Sequence, residues 1–197
     1  MIEFKLGGIR VAFHFSFFAI LALLALLKDV RYTAYGLYAC ILHEFGHLFW
    51  MQALGVRCEQ LLFYAAGIRI TVRKEVFLPL WKDMLILSGG CSLNFITFLI
   101  FSLLAHENAE MLVFAYTNLI IGIFNLIPIK YFDGGRIGER LIEHYCPVEM
   151  IPTAKKFLKA ACVLILAAVL ILCYINKNDN ITLYATLLYF LFSSMLF

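Results

Sequence analysis

Apolar residues run in six long stretches, near 11–27, 33–54, 84–105, 111–128, 157–175 and 181–197. Each approaches the roughly 20 residues that a helix needs to cross the hydrocarbon core of a bilayer. Arg57 to Lys82 breaks the pattern. Within it, Ala66-Gly67-Ile68-Arg69-Ile70-Thr71-Val72-Arg73 alternates apolar and polar residues in its second half, the period of a strand. The pattern predicts an all-α membrane protein of about six transmembrane helices, with a short β-hairpin or edge strand between the second and third. A strand near a bilayer must pair its backbone groups or reach water. This one is expected as a plain cytoplasmic hairpin or as an edge that takes up an extended peptide by β-augmentation. Tyr145 to Lys156 holds Pro147 and Pro152 and reads as a linker. It would separate a catalytic core of about 30–145 from a C-terminal helix pair at about 157–197, within a single domain over 1–197.

Composition excludes a water-soluble globule. The chain is 63% hydrophobic and 15% charged, with a mean hydropathy of +0.90, against about 45–50% apolar and about 25% charged in soluble domains. A protein this small leaves much of its surface outside the core, so lipid is the solvent that fits. After the first stretch comes Lys28-Asp29-Val30-Arg31-Tyr32, without a small-residue cleavage pattern, so a retained span is expected. The six cysteines form no CxxC pair and most lie in or beside apolar runs, where cysteine acts as a small hydrophobe.

Charge orients the spans. On alternate sides of the six stretches, 13 basic residues (Lys5, Arg10, Arg57, Arg69, Arg73, Lys74, Lys82, Lys130, Arg136, Arg140, Lys155, Lys156 and Lys159) face 3 (Lys28, Arg31 and Lys177). The positive-inside rule puts the rich side, with both termini, in the cytoplasm. The net charge of +3 forms no basic tract, so nucleic acid is not an expected partner.

The second stretch contains His43-Glu44-Phe45-Gly46-His47, an HExxH motif on a helix. Histidines four residues apart share a helix face and can offer two nitrogens to one metal. The glutamate between them can reach a metal-bound water as general base, as in zinc hydrolases. Three ionisable groups within one turn of a membrane helix are costly and mark function. A catalytic zinc takes three protein ligands and keeps an open position. Among Asp29, Asp83, Asp133 and Asp179, the third is best placed. Pro128 ends or kinks the fourth span, and Gly134-Gly135 frees the backbone beyond it, so Asp133 can swing toward a neighbouring helix. The orientation sets His47 and Asp133 both toward the cytoplasmic half.

HExxH in an early span, with Asn125-Leu126-Ile127-Pro128 and Asp133-Gly134-Gly135-Arg136 in a later one, resembles the site-2 proteases, zinc metalloproteases of the membrane. The opening Ile9 to Phe17 is similar to the family's first span, and Ser88 to Asn94 to its Gly-Pro-x-x-Asn stretch. The resemblance is closest to the bacterial sporulation proteases that process a pro-sigma factor, without a CBS or PDZ module. It departs at Cys91, where the family has proline, and at Tyr131, where a second proline is common.

The resemblance implies one zinc ion held by His43, His47 and Asp133, with Glu44 as base. It implies Asn125, and more weakly Asn94, at the substrate or the oxyanion. It implies that Gly67, Ile68, Arg69, Ile70 and Thr71 hold substrate in extended form. The expected partner is a transmembrane or membrane-associated protein substrate, with room for an inhibitory or activating membrane partner. The expected location is a bacterial cell membrane. A catalytically silent membrane adaptor on the same scaffold is the rival. A metal transporter would need polar residues through the whole depth of several spans, and here they cluster at one depth.

Overall fold

The computed structural model describes residues 1–27, 30–64, 67–72, 78–106, 108–129, 132–176 and 181–196. The expectations attached to Lys28, Asp29, Ala66, Arg73, Lys74, Lys130, Tyr131, Lys177 and Asp179 lie outside the described residues. The chain divides into two compact units, Met1–Phe124 and Asn125–Phe197.

The first unit opens with strands β1 (Ile2–Leu6) and β2 (Ile9–Phe13), then helices α1 (Phe15–Leu27) and α2 (Val30–Ala53). Strands β3 (Cys58–Tyr64) and β4 (Gly67–Val72) follow, then helices α3 (Leu80–Leu104) and α4 (Ala109–Asn125), whose last residue begins the second unit. The apolar run from residue 11 is thus not all helix. Its first residues pair as β2, because the hairpin with β1 and the ladder to β3 satisfy their backbone groups.

The sheet order is β1-β2-β3-β4, antiparallel except for the parallel pair β2–β3. Parallel neighbours need a crossover, and here α1 and α2 supply it, leaving the sheet and returning to it. Phe13 pairs with Phe63 across this ladder, and their rings stack with centroids 4.4 Å apart. α2 stops where Gly55 takes φ +73°, so that Val56 N–H donates to Met51 O (2.8 Å) and Gly55 N–H to Gln52 O (3.1 Å). This glycine closure satisfies the last carbonyls of the helix and turns the chain into β3.

The second unit holds α5 (Asp133–Tyr145), a 3-10 turn at Val148–Met150, α6 (Ile151–Ile175) and α7 (Ile181–Leu196). Ile129, Cys162, Leu166 and Leu187 form its core, and Phe132 packs edge-on against Phe190 at 5.0 Å. Two local expectations shift. The segment expected as a linker, Tyr145 to Lys156, contributes the first turn of α6. Pro152 sits in that first turn, where a missing N–H breaks no helical bond. Beyond Pro128 the chain forms a second helix, α5, which hydrophobic run length did not predict because the helix is polar on one face.

Two helical stretches among the described residues, Leu80–Leu104 and Val148–Ile175, are long and apolar enough to cross a membrane. Their surfaces carry Leu103 (69% exposed) and Leu164 (70% exposed), and only 11% of the most apolar window of the second stretch is buried. Apolar surface that contiguous does not face water in a soluble monomer. α1 and α4 are apolar but shorter.

Candidate metal centre

α2 and α3 meet through glycines. A Cβ built on Gly46 would overlap the carbonyl of Gly89, and one on Gly89 would lie 2.6 Å from Gly46 O. Small residues at such a crossing let two backbones approach as side chains would not. This crossing presses α3 onto the face of α2 that carries His43 and His47, both buried.

Each histidine is tied by its Nδ1. His43 Nδ1 lies 2.7 Å from Asn94 Oδ1, and His47 Nδ1 lies 2.7 Å from the carbonyl oxygen of Ile86. The Ile86 carbonyl is acceptor-only, so His47 Nδ1 carries a proton and donates it. Asn94 reaches the same result for His43. Its Nδ2 donates to Ala39 O (3.1 Å) and to Asn118 Oδ1 (2.9 Å), which leaves Oδ1 to accept from His43. Both Nε2 atoms therefore present lone pairs, and they lie 3.2 Å apart. Two imidazole nitrogens brought this close are suited to sharing one cation.

The space in front of them is kept clear. A Cβ on Gly90 would fall 2.5 Å from His47 Nε2 and 2.6 Å from His43 Nε2. Buried Cys91 places Sγ within 4.8 Å of a His43 ring nitrogen, a soft donor beside that imidazole. The donor set and the hydrogen bonds that hold both Nδ1 atoms fit a divalent metal such as zinc.

The remaining candidates stand as follows. Glu44 follows His43 on α2 and is half-buried. Asn94 is fully buried, with its oxygen on His43 and its amide nitrogen on two acceptors. The geometry thus supports Asn94 as a positioning residue for His43, in place of a substrate contact. In the second unit, Asn125 ends α4 and buried Asp133 begins α5. A Cβ on Gly134 would overlap Leu126 O, so its absence lets the start of α5 rest on the turn after Asn125. Gly67 to Thr71 lie on β4, an edge of the sheet.

A cavity of about 650 Å³ opens in the first unit, bounded in part by Gly36 and Cys40 of α2, Tyr64 of β3, and Gly67 and Ile68 of β4. Gly36, Cys40, His43 and His47 are spaced four, three and four residues apart, which is one helix face. The wall of the cavity thus continues along α2 toward the histidine pair.

Sequence reasoning missed the parts that carry no motif. Gly46 hides inside HExxH, and Gly90 and Cys91 figure only as part of the Ser88–Asn94 resemblance, with no place beside the histidines. The Ile86 carbonyl has no side-chain signal at all. Asn118 had one, an amide in the middle of the apolar run 111–128.

Residues 108–172 match the family model "Peptidase family M50", a span that includes Asn125 and Asp133 but not the HExxH motif. A curated zinc metalloprotease of Methanocaldococcus jannaschii is 29% identical over 148 residues, 68% of this chain and 43% of that protein. The chain thus spans under half the length of this relative. The solved structure of a site-2 protease from the same organism superposes with a TM-score of 0.68, covering 98% of this chain and 93% of that one at 22% identity. At that identity the likeness is one of fold.

Proposed function

We propose that this chain is a site-2 protease of the kind the M50 family model describes, and that it hydrolyses peptide bonds of membrane-embedded or membrane-associated proteins, with one zinc ion held by His43, His47 and Asp133. The observation that carries this reading is the pair of Nε2 atoms 3.2 Å apart beside Gly90, with each Nδ1 held by an oxygen at 2.7 Å. Zinc bound there would lower the pKa of a coordinated water toward neutrality and polarise a peptide carbonyl.

The chain's own residues do the rest. Glu44, one residue along α2 from a ligand, accepts the proton of the attacking water and passes it to the leaving amine. Asn125 donates to the oxygen on which negative charge develops. The edge of β4, from Gly67 to Thr71, pairs with the substrate backbone and holds it extended, because a helix shields its own peptide bonds. The adjoining cavity takes the apolar side chains of that segment. Asp133, buried at the first turn of α5, supplies the carboxylate ligand. The charge asymmetry supports an orientation with both termini in the cytoplasm. A membrane-tethered transcription regulator such as a pro-sigma factor is the substrate class that such a site would release.

The test is co-expression of membrane-tethered regulators with the wild-type chain and with Glu44→Gln. The variant should retain one zinc per chain and lose cleavage by about 10²–10⁴-fold, the range attributed to a positioned general base. Undiminished cleavage by Glu44→Gln, or purified wild type that takes up no zinc, would refute the reading.

A further inference from the structure

We infer that Asn118 on α4 is a positioning residue for the metal, acting through Asn94 to hold the proton of His43 on Nδ1; the inference rests on the metal site proposed above. Asn118 and Asn94 are both fully buried. Buried amides among apolar helices are costly unless their polar atoms are paired. Here the pairing has a direction. Asn118 Nδ2 donates to the Phe114 carbonyl at 2.9 Å, one turn back on its own helix. A carbonyl only accepts, so the amide of Asn118 has one orientation, with Oδ1 toward Asn94.

That oxygen then selects the orientation of the second amide. Asn94 Nδ2 donates to Asn118 Oδ1 (2.9 Å) and to Ala39 O (3.1 Å), so Asn94 Oδ1 faces His43 Nδ1 at 2.7 Å. Both ends of the relay rest on backbone carbonyls, Phe114 on α4 and Ala39 on α2, which cannot reverse roles. A flipped Asn94 would set an N–H against His43 Nδ1. The ring would then place its proton on Nε2, the atom that should ligate. Outer partners of this kind set ligand tautomer and tune metal affinity. The side chain of Asn118 makes no contact with metal or substrate in this scheme.

A packing role for Asn118 makes different predictions. Full-length protein in detergent would be titrated with Zn²⁺ against a chromophoric chelator, alongside thermal melts of the apo protein. Asn118→Leu keeps the branching of the side chain and removes the oxygen. It should weaken zinc binding by about 10–100-fold, with the apo melting temperature little changed. Asn118→Asp keeps an acceptor toward Asn94 and should bind zinc as the wild type does. The double variant Asn94→Leu/Asn118→Leu should bind no more weakly than Asn94→Leu alone, because the relay passes through Asn94. Wild-type affinity in Asn118→Leu, equal losses in the Asp and Leu variants, or losses that multiply in the double variant would overturn the inference. If Asn118→Leu does not fold, Asn118→Ala, which also removes the oxygen, takes its place in the comparison with the Asp variant. Zinc uptake by the wild type with any of these outcomes defeats the relay alone, whereas no uptake defeats the metal site with it.

Discussion

Gly46 on α2 and Gly89 on α3 touch backbone to backbone, with no room for a side chain on either. This contact sets how near Gly90 comes to the two histidines. Gly46→Ala should therefore cost stability, about 1–3 kcal/mol or more, since the neighbouring atoms are main chain and cannot swing aside. Urea-dependent or thermal unfolding in detergent would measure it. An unperturbed Gly46→Ala protein would show that the helices can slide.

Gly90→Ala should act on the metal. The added methyl would lie 2.5 Å from His47 Nε2 and 2.6 Å from His43 Nε2, in the place where the two nitrogens converge. We expect zinc affinity to fall by more than about a hundredfold, beyond the usual effect of losing an outer-shell partner. Chelator competition on the purified variant checks this. Retained affinity would move the metal away from Gly90.

Gly36→Leu separates substrate seating from chemistry. A Cβ at Gly36 meets nothing within 4 Å, and the residue lines the cavity beside β4. The larger side chain should fill that space, leave zinc binding intact, and reduce cleavage of tethered substrates on the order of 10–200-fold, the scale set by aliphatic bulk in an apolar pocket. Unchanged cleavage would remove the cavity from the substrate path.

The pair Glu143–Lys155 gives a prediction for the second unit. A hydrogen bond from Lys155 Nζ, at 2.7 Å, holds the Glu143 carboxyl below its ordinary value of 4.5. A depressed carboxyl contributes stability above its unfolded pKa, and that contribution is lost as pH falls through the folded value. Both side chains are more than a third exposed, so solvent limits the effect to about 0–1 kcal/mol. Glu143→Gln should melt slightly lower than wild type at neutral pH, with the difference fading below pH 4.5. A gap that persisted in acid would assign the effect to something other than charge.

The sequence exposed the chemistry better than the frame that holds it. His43, Glu44, His47 and Asp133 stand out in the sequence as candidates because ionisable groups in apolar runs are rare, and the structure buries His43, His47 and Asp133. β1 was not legible, since five residues of mixed polarity before a hydrophobic run look like a tail until a partner strand is known. The start of α5 was not, because its polar face lowers its average hydropathy to that of a loop. Asn94 was legible as a residue of interest but not in its task. Nothing in one sequence shows that its oxygen meets His43 and its nitrogen Asn118, since those residues are 51 and 24 positions away.

The parallel ladder between β2 and β3 makes the first 13 residues part of the frame. Removing them would strip β3 of its neighbour and leave a two-stranded ribbon with unsatisfied amides on both margins, an invitation to pair with other chains. The α1–α2 loop of chain would lose the clasp that joins its feet. During synthesis the same ladder cannot close until Phe63 has emerged, by which time both helices of the crossover have been made. Trimming this segment to improve expression would therefore work against its aim.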